Sequence, residues 1–203
     1  MKKLARDISV LFMALVMLVS MSGCATYKAP TVDSFCTALD ELGYHKVQDA
    51  ANAKTVTQAL MSFSAFGGGG YICSSYEDPY DTSRTGFLRG ATDEVLCLTE
   101  KDTRYLLIVF DNYENAKYYY MTMRDQIEEL YDKDGVFMMK SGWNAESYTF
   151  AGSTPSLFGD EFYMYGGFYL KDNTVTIIDT YENDITNKTQ VNQMLDKLGL
   201  PRP

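Results

Sequence analysis

Histidine is almost absent from this 203-residue chain, which contains only His45. Catalytic schemes in which histidine activates a serine or cysteine nucleophile would therefore all depend on this one residue. His45 follows Gly43 and Tyr44 just past the end of a predicted helix, where a lone histidine is most often a partly exposed loop residue. The sequence thus predicts no catalytic residue and favours a protein that is not an enzyme.

Motifs for metals and phosphates are also lacking. The four cysteines include no Cys-x-x-Cys pair, and zinc sites need clustered thiols or histidines. The glycine run Gly67–Gly70 is not followed by the Gly-Lys-Ser/Thr of a phosphate loop. The turn Asp132–Gly135 has Ser141 at the position where a calcium loop requires glutamate. We therefore predict no metal site and no cofactor.

Three cysteines, Cys36, Cys73 and Cys97, lie beside apolar neighbours. Buried thiols that behave as small apolar side chains are the favoured interpretation. A Cys73–Cys97 disulfide is the alternative, because exported proteins often contain disulfides and three thiols permit one bridge. The sequence spacing does not decide between them.

A long apolar run occurs once, at Ile8–Met21, and is too short for a confident membrane span of about 20 residues. Basic residues precede it and the tetrad Met-Ser-Gly-Cys ends it at Cys24, a pattern typical of a secretory signal. The tetrad resembles the lipobox of bacterial lipoproteins. That resemblance implies cleavage after Gly23, lipid on the Cys24 thiol and an anchor on the outer face of the cell membrane. An ordinary secreted protein is the alternative.

The predicted organisation is a signal peptide over 1–23, a lipidated cysteine and short linker over 24–32, and one α+β domain over 33–203. Removing residues 1–23 would take three basic residues and one acidic residue from the 18 and 27 of the whole chain, which leaves a net charge of about −11. Such a surface repels nucleic acid over about a Debye length of 10 Å. The partners expected are therefore the membrane, through lipid on Cys24, and an envelope protein or glycan, but not nucleic acid.

Hydrophobic periodicity predicts three helices and two hairpins. The helices are expected over Ser34–Leu42, Asn112–Tyr131 and Lys188–Leu198, with a further short helix over Thr55–Phe66. The hairpins are expected to pair Glu94–Thr99 with Arg104–Asp111, and Glu161–Lys171 with Thr174–Tyr181. Weaker strands are expected over Tyr71–Ser75 and Ser147–Ala151.

Hairpins that alternate with helices in this way favour an α+β fold, with an antiparallel sheet and helices packed on one face. Both the first and the last helix end at Leu-Gly, at Leu42 and Leu198. A duplicated helix–strands unit would explain this echo, although Leu-Gly is also simply a common helix ending.

Two segments carry a family resemblance. The run Tyr105–Ala116 (Tyr-Leu-Leu-Ile-Val-Phe-Asp-Asn-Tyr-Glu-Asn-Ala) and the run Gly167–Ile177, which precedes a helix closing on Leu198 and Gly199, are similar to small uncharacterised lipoproteins of Gram-positive, mostly clostridial gut bacteria. The likeness covers about residues 33–45 and 93–200. It implies an outer cell-membrane location and supplies no activity or catalytic residue.

The most unusual feature of the composition is its high tyrosine content, with 16 tyrosines in the chain. Tyr163, Tyr165 and Tyr169 share one face of a predicted strand, so they either form an exposed row or lie under another element. Exposed tyrosine suits recognition of proteins or glycans, and Trp143, in a predicted loop, is a further contact candidate.

These features favour a non-catalytic binding or scaffolding module of the cell envelope. The alternative is a cell-wall or glycan hydrolase that uses carboxylates brought together by folding. The adjacent pair Asp160 and Glu161 does not qualify, because neighbouring residues on a strand point to opposite faces.

Overall fold

The computed structural model describes residues 27–47, 69–81, 88–99, 102–130, 137–155 and 161–203. Its strands form one sheet in the order β1-β2-β3-β4-β8-β7-β6-β5, antiparallel except for β1 and β2. The strands are β1 (His45–Lys46), β2 (Gly70–Ser75), β3 (Ala91–Leu98), β4 (Thr103–Phe110), β5 (Phe137–Gly142), β6 (Ala145–Pro155), β7 (Glu161–Lys171) and β8 (Thr174–Thr180). The α+β class with a mostly antiparallel sheet is thus confirmed.

Within the described residues, three helices accompany the sheet: α1 (Val32–Glu41), α2 (Tyr113–Leu130) and α3 (Ile185–Leu198). The first begins two residues earlier than predicted because Thr31 and Ser34 form a reciprocal capping box. Similarly, Asp184 caps α3, and Gly199 ends that helix in the left-handed region at φ 66°. The backbone N–H of Asn115 donates to the Asn112 side chain at 2.9 Å, so Asn112 caps α2.

Helices cover both faces of the sheet. On one face α1 and α3 pack through Phe35, Leu39 and Val191 against strand residues that include Tyr105 and Leu107. On the other face α2 packs against the alternate strand residues through its buried side chains Ala116, Tyr119, Tyr120 and Ile127. The expectation that all helices lie on one face is therefore corrected. In β4 the alternating side chains from Tyr105 to Phe110 are apolar on both faces, as a doubly covered sheet favours.

Both predicted hairpins are present, as β3–β4 and β7–β8, and the weaker strand predictions correspond to β2 and β6. Two strands were not predicted, the two-residue β1 and the edge strand β5. The structure does not confirm a duplicated unit. The helix predicted over Thr55–Phe66 lies outside the described residues.

A buried ion pair joins β4 to β8 at the middle of the sheet. Arg104 and Asp179 lie directly opposite each other in the register. The Arg104 guanidinium donates from Nε to Asp179 Oδ1 at 3.0 Å and from Nη2 to Oδ2 at 2.5 Å. Tyr181 donates its hydroxyl to the same carboxylate at 3.2 Å. The pair thus adds a side-chain link to the β4–β8 ladder that joins the two halves of the sheet, and it compensates the charge of Asp179.

Candidate functional surface

Of the described aromatic side chains, the most exposed lies at the tip of the β5–β6 hairpin. Trp143 is 87% exposed and forms a two-residue turn with Asn144, which adopts φ 45°. The neighbouring β7–β8 turn holds this tip, because the Asp172 N–H donates to the Asn144 carbonyl at 2.8 Å and the Lys171 ammonium donates to the Trp143 carbonyl at 3.2 Å. The indole is therefore carried on a fixed backbone while its ring stays in solvent.

Strand β5 continues this exposed region along the edge of the sheet. Met138 and Met139, which point to opposite faces, are 54% and 55% exposed. Within the described part of the chain, β5 pairs only with β6. In a hairpin with a two-residue turn, the residues that flank the turn, here Gly142 and Ala145, form a hydrogen-bonded pair. Hydrogen-bonded and non-hydrogen-bonded pairs alternate along the strand, so the backbone N–H and C=O groups of Met139 and Ser141 point away from β6. We call Phe137–Gly142 together with Trp143 the edge surface.

The predicted tyrosine row does not form one exposed surface. Tyr169 is only 1% exposed, and its hydroxyl donates to the Pro201 carbonyl at 2.8 Å. Tyr165 is half-buried and donates to Asn192 of α3 at 2.9 Å. Tyr163, also half-buried, lies under the Lys188 ammonium of α3, 4.5 Å from its ring centroid. The row thus lies under α3, and Tyr169 is part of the hydrophobic core. Burial raises the pKa of Tyr169 above its usual value.

Tyr27, the first described residue, is locked at the same end of the sheet as the hairpin tip. Its hydroxyl donates to the carbonyls of Glu146 at 2.6 Å and Leu170 at 2.7 Å, and its ring meets Tyr169 edge-on at 6.1 Å. Burial raises the pKa of the Tyr27 hydroxyl, which therefore stays a donor. Three residues span at most about 11 Å, so covalent geometry alone keeps Cys24 within that distance of Tyr27.

Among the described residues, the groups considered for catalysis are either exposed or already paired. His45 is exposed on the short edge strand β1. The buried carboxylates of the described chain each have a dedicated partner, since Asp179 binds Arg104 and Glu94 accepts from the Tyr76 hydroxyl at 2.5 Å. No group of three or more histidine, cysteine, aspartate or glutamate residues that could hold a metal occurs in the described ranges. Asp160, and the side chain of Glu161, lie outside them.

The cysteines form neither three buried thiols nor a Cys73–Cys97 disulfide. The Cys36 and Cys73 sulfur atoms, on α1 and β2, lie 3.4 Å apart, and both residues are partly exposed. Cys97 is fully buried and pairs in register with Tyr71, two residues before Cys73. The Cys73–Cys97 alternative is therefore corrected, and only Cys97 is a fully buried thiol. Burial raises the pKa of the Cys97 thiol to about 12.

Sequence reasoning found Trp143 but missed the edge surface to which it belongs. The segment Phe137–Gly142 contains no β-branched residue, so its strand propensity is low. The available signal was Asn144, a residue that tolerates positive φ in a two-residue hairpin turn.

Comparison with known proteins gives a distant structural neighbour and no family. No family model matches the chain, and no curated protein matches it. Among solved structures, the chain is similar to the extracellular domain of PknH from Mycobacterium tuberculosis, at 13% sequence identity and a TM-score of 0.34. The similarity covers 77% of this chain and 98% of that one. Within the described residues, every helix is too short or too polar to cross a membrane. A similarity at this level assigns neither a family nor a function.

Proposed function

We propose that this protein is a non-catalytic, extracytoplasmic lipoprotein that binds a partner protein through the edge surface. The observation that carries the proposal is the exposed edge strand β5, with Met138 and Met139 exposed and Trp143 at its end. The occupant is an extended segment of the partner, which adds to β5 as a further strand. Outward N–H and C=O groups supply affinity in this binding mode, and side-chain contacts supply specificity.

The predicted lipid anchor restricts where that partner comes from. Lipid on Cys24 would lie within about 11 Å of Tyr27, which is fixed near the hairpin tip. In this arrangement the Trp143 end of the sheet faces the membrane, and β5 runs from Phe137 toward the membrane surface. A membrane-proximal segment of another envelope protein can align with β5 in this orientation. A methionine-rich surface suits such segments because its side chains adapt to different neighbours.

Lipidation is tested at Cys24. In protein made with its own signal, we expect the mature N-terminus to be Cys24 carrying diacylglycerol, detected by mass spectrometry, and the protein to partition into detergent. Cys24→Ala is expected to abolish both cleavage after Gly23 and partitioning, whereas the matched cysteine variant Cys97→Ser leaves both unchanged. A mature N-terminus at another residue, with an unmodified Cys24, would refute the anchor.

Strand addition is tested by Met139→Pro. Proline is tolerated on an edge strand where its missing N–H faces outward, so the fold should remain. Loss of one intermolecular backbone hydrogen bond should weaken partner binding about tenfold or more. The matched control is Ile185→Ser, at an apolar residue that is 77% exposed at the start of α3. Affinity is measured by titrating the isolated partner, and equal affinity for both variants would contradict the proposed mode.

A further inference from the structure

We propose that Cys36 and Cys73 form a disulfide by exchange with an oxidant outside the membrane, and that this bond ties α1 to the sheet. The inference rests on the extracytoplasmic location in the proposed function for its cellular setting, and on geometry for its chemistry. Disulfides persist where thiols are not held reduced, which describes the outer side of a membrane.

The geometry places two thiols in direct contact from distant parts of the chain. The sulfur atoms of Cys36 and Cys73 are 3.4 Å apart, and a disulfide needs about 2.05 Å. The helix and the strand that carry these cysteines are also joined by another contact, because the Tyr71 hydroxyl of β2 donates to Asp40 of α1 at 2.9 Å. Movement of about 1.4 Å between two side-chain ends therefore suffices, with the helix and the strand remaining in place.

Both thiols are partly exposed, so an oxidant can reach them, whereas Cys97 is enclosed in the core. The contact with Cys36 lowers the pKa of the Cys73 thiol to about 7, and the nearby Lys46 ammonium favours the same thiolate. That contact raises the pKa of the Cys36 thiol. Cys73 is accordingly the thiolate that attacks first, and Cys36 is the resolving thiol.

The exchange balances with a disulfide as the oxidant, either a small disulfide such as oxidised glutathione or the oxidised form of a dithiol oxidoreductase. The Cys73 thiolate attacks one sulfur of the oxidant, which forms a mixed disulfide and releases one thiolate. Cys36 then loses its proton and attacks the Cys73 sulfur, which closes the bond and releases the second thiolate. The protein loses two electrons and two protons, and the oxidant gains both.

The bond would close a loop from α1 to β2 that contains residues 48–68. A cross-link around a loop of this length removes conformational freedom from the unfolded chain. For a chain of this size, the expected rise in the melting temperature is about 5–15 °C.

The test uses the full mature protein, reduced and then incubated with oxidised glutathione. We expect the mass to fall by two hydrogens, a cross-linked peptide pair containing Cys36 and Cys73, and Cys97 alone to be alkylated after unfolding. Cys97→Ser should behave in the same way, whereas Cys36→Ser and Cys73→Ser should form no internal bond. In the reduced protein, iodoacetamide should react fastest at Cys73, with a rate that rises through about pH 7.

Three alkylatable thiols after oxidation, or a bond that includes Cys97, would overturn the proposal. An unlipidated Cys24 together with a Cys36–Cys73 bond would instead reject the proposed lipid anchor while supporting the pair. The two failures are therefore distinguishable in one sample, since the N-terminus and the cross-linked peptides are separate products of the same digest.

Discussion

Replacing Arg104 with alanine is expected to lower the free energy of unfolding by about 3–5 kcal/mol. The change leaves the carboxylate of Asp179 without its cation in a side chain that is 0% exposed. An uncompensated buried charge costs far more than the ion pair contributes in net terms, because the desolvation cost remains when the attraction is gone. The loss should appear in urea denaturation, together with a melting temperature lower by about 6–20 °C.

The double variant Arg104→Met/Asp179→Leu is the informative control. It removes both charges and leaves an apolar contact between β4 and β8, so it should recover most of the lost stability. A single variant that loses less than about 1 kcal/mol, the range of a surface pair, would show that Asp179 is solvated. In that case the pair would not stabilise the junction between β4 and β8.

Replacing Gly166 with alanine is expected to cost about 3–6 kcal/mol, from backbone strain together with overpacking. Gly166 adopts φ 135°, which disfavours any side chain. An added Cβ would lie 2.1 Å from the Ile178 carbonyl oxygen and 2.6 Å from the Asp179 Cα atom. Both contacts are with the backbone of β8, which cannot move without opening the ladder between β7 and β8.

Gly69→Ala provides the comparison for Gly166→Ala. A Cβ at Gly69 has no heavy atom within 4 Å, so the substitution should change the stability by less than about 0.5 kcal/mol. Denaturant titration of both variants gives the difference directly. Similar losses of stability for the two variants would show that β7 and β8 do not approach each other this closely at Gly166.

The sequence predicted elements well where local signals agree. The β7–β8 hairpin was predicted within one residue because alternating apolar residues surround Asp172 and Asn173, which suit a tight turn. Gly199 likewise set the end of α3. In these places propensity, periodicity and turn chemistry all point to one structure.

The sequence did not reveal which face of the sheet each helix covers. A buried strand shows continuous apolar residues whichever face a helix covers, so nothing in β4 indicated that α2 lies opposite α1 and α3. The same limit hid the contact between Cys36 and Cys73, which depends on the face of the sheet against which α1 packs. It also hid the covered tyrosines, since the period of two places Tyr163, Tyr165 and Tyr169 together without revealing α3 above them.

The central claim is that a partner protein binds the edge surface, and site-specific photo-crosslinking in intact cells tests it most directly. A photoreactive residue in place of Met138, on β5, is compared with one in place of Ile185, on α3. The account predicts a discrete protein adduct from position 138, absent from position 185 and lost when Met139→Pro is added. Equal adducts from both positions, or adducts from position 138 to lipid alone, would contradict it.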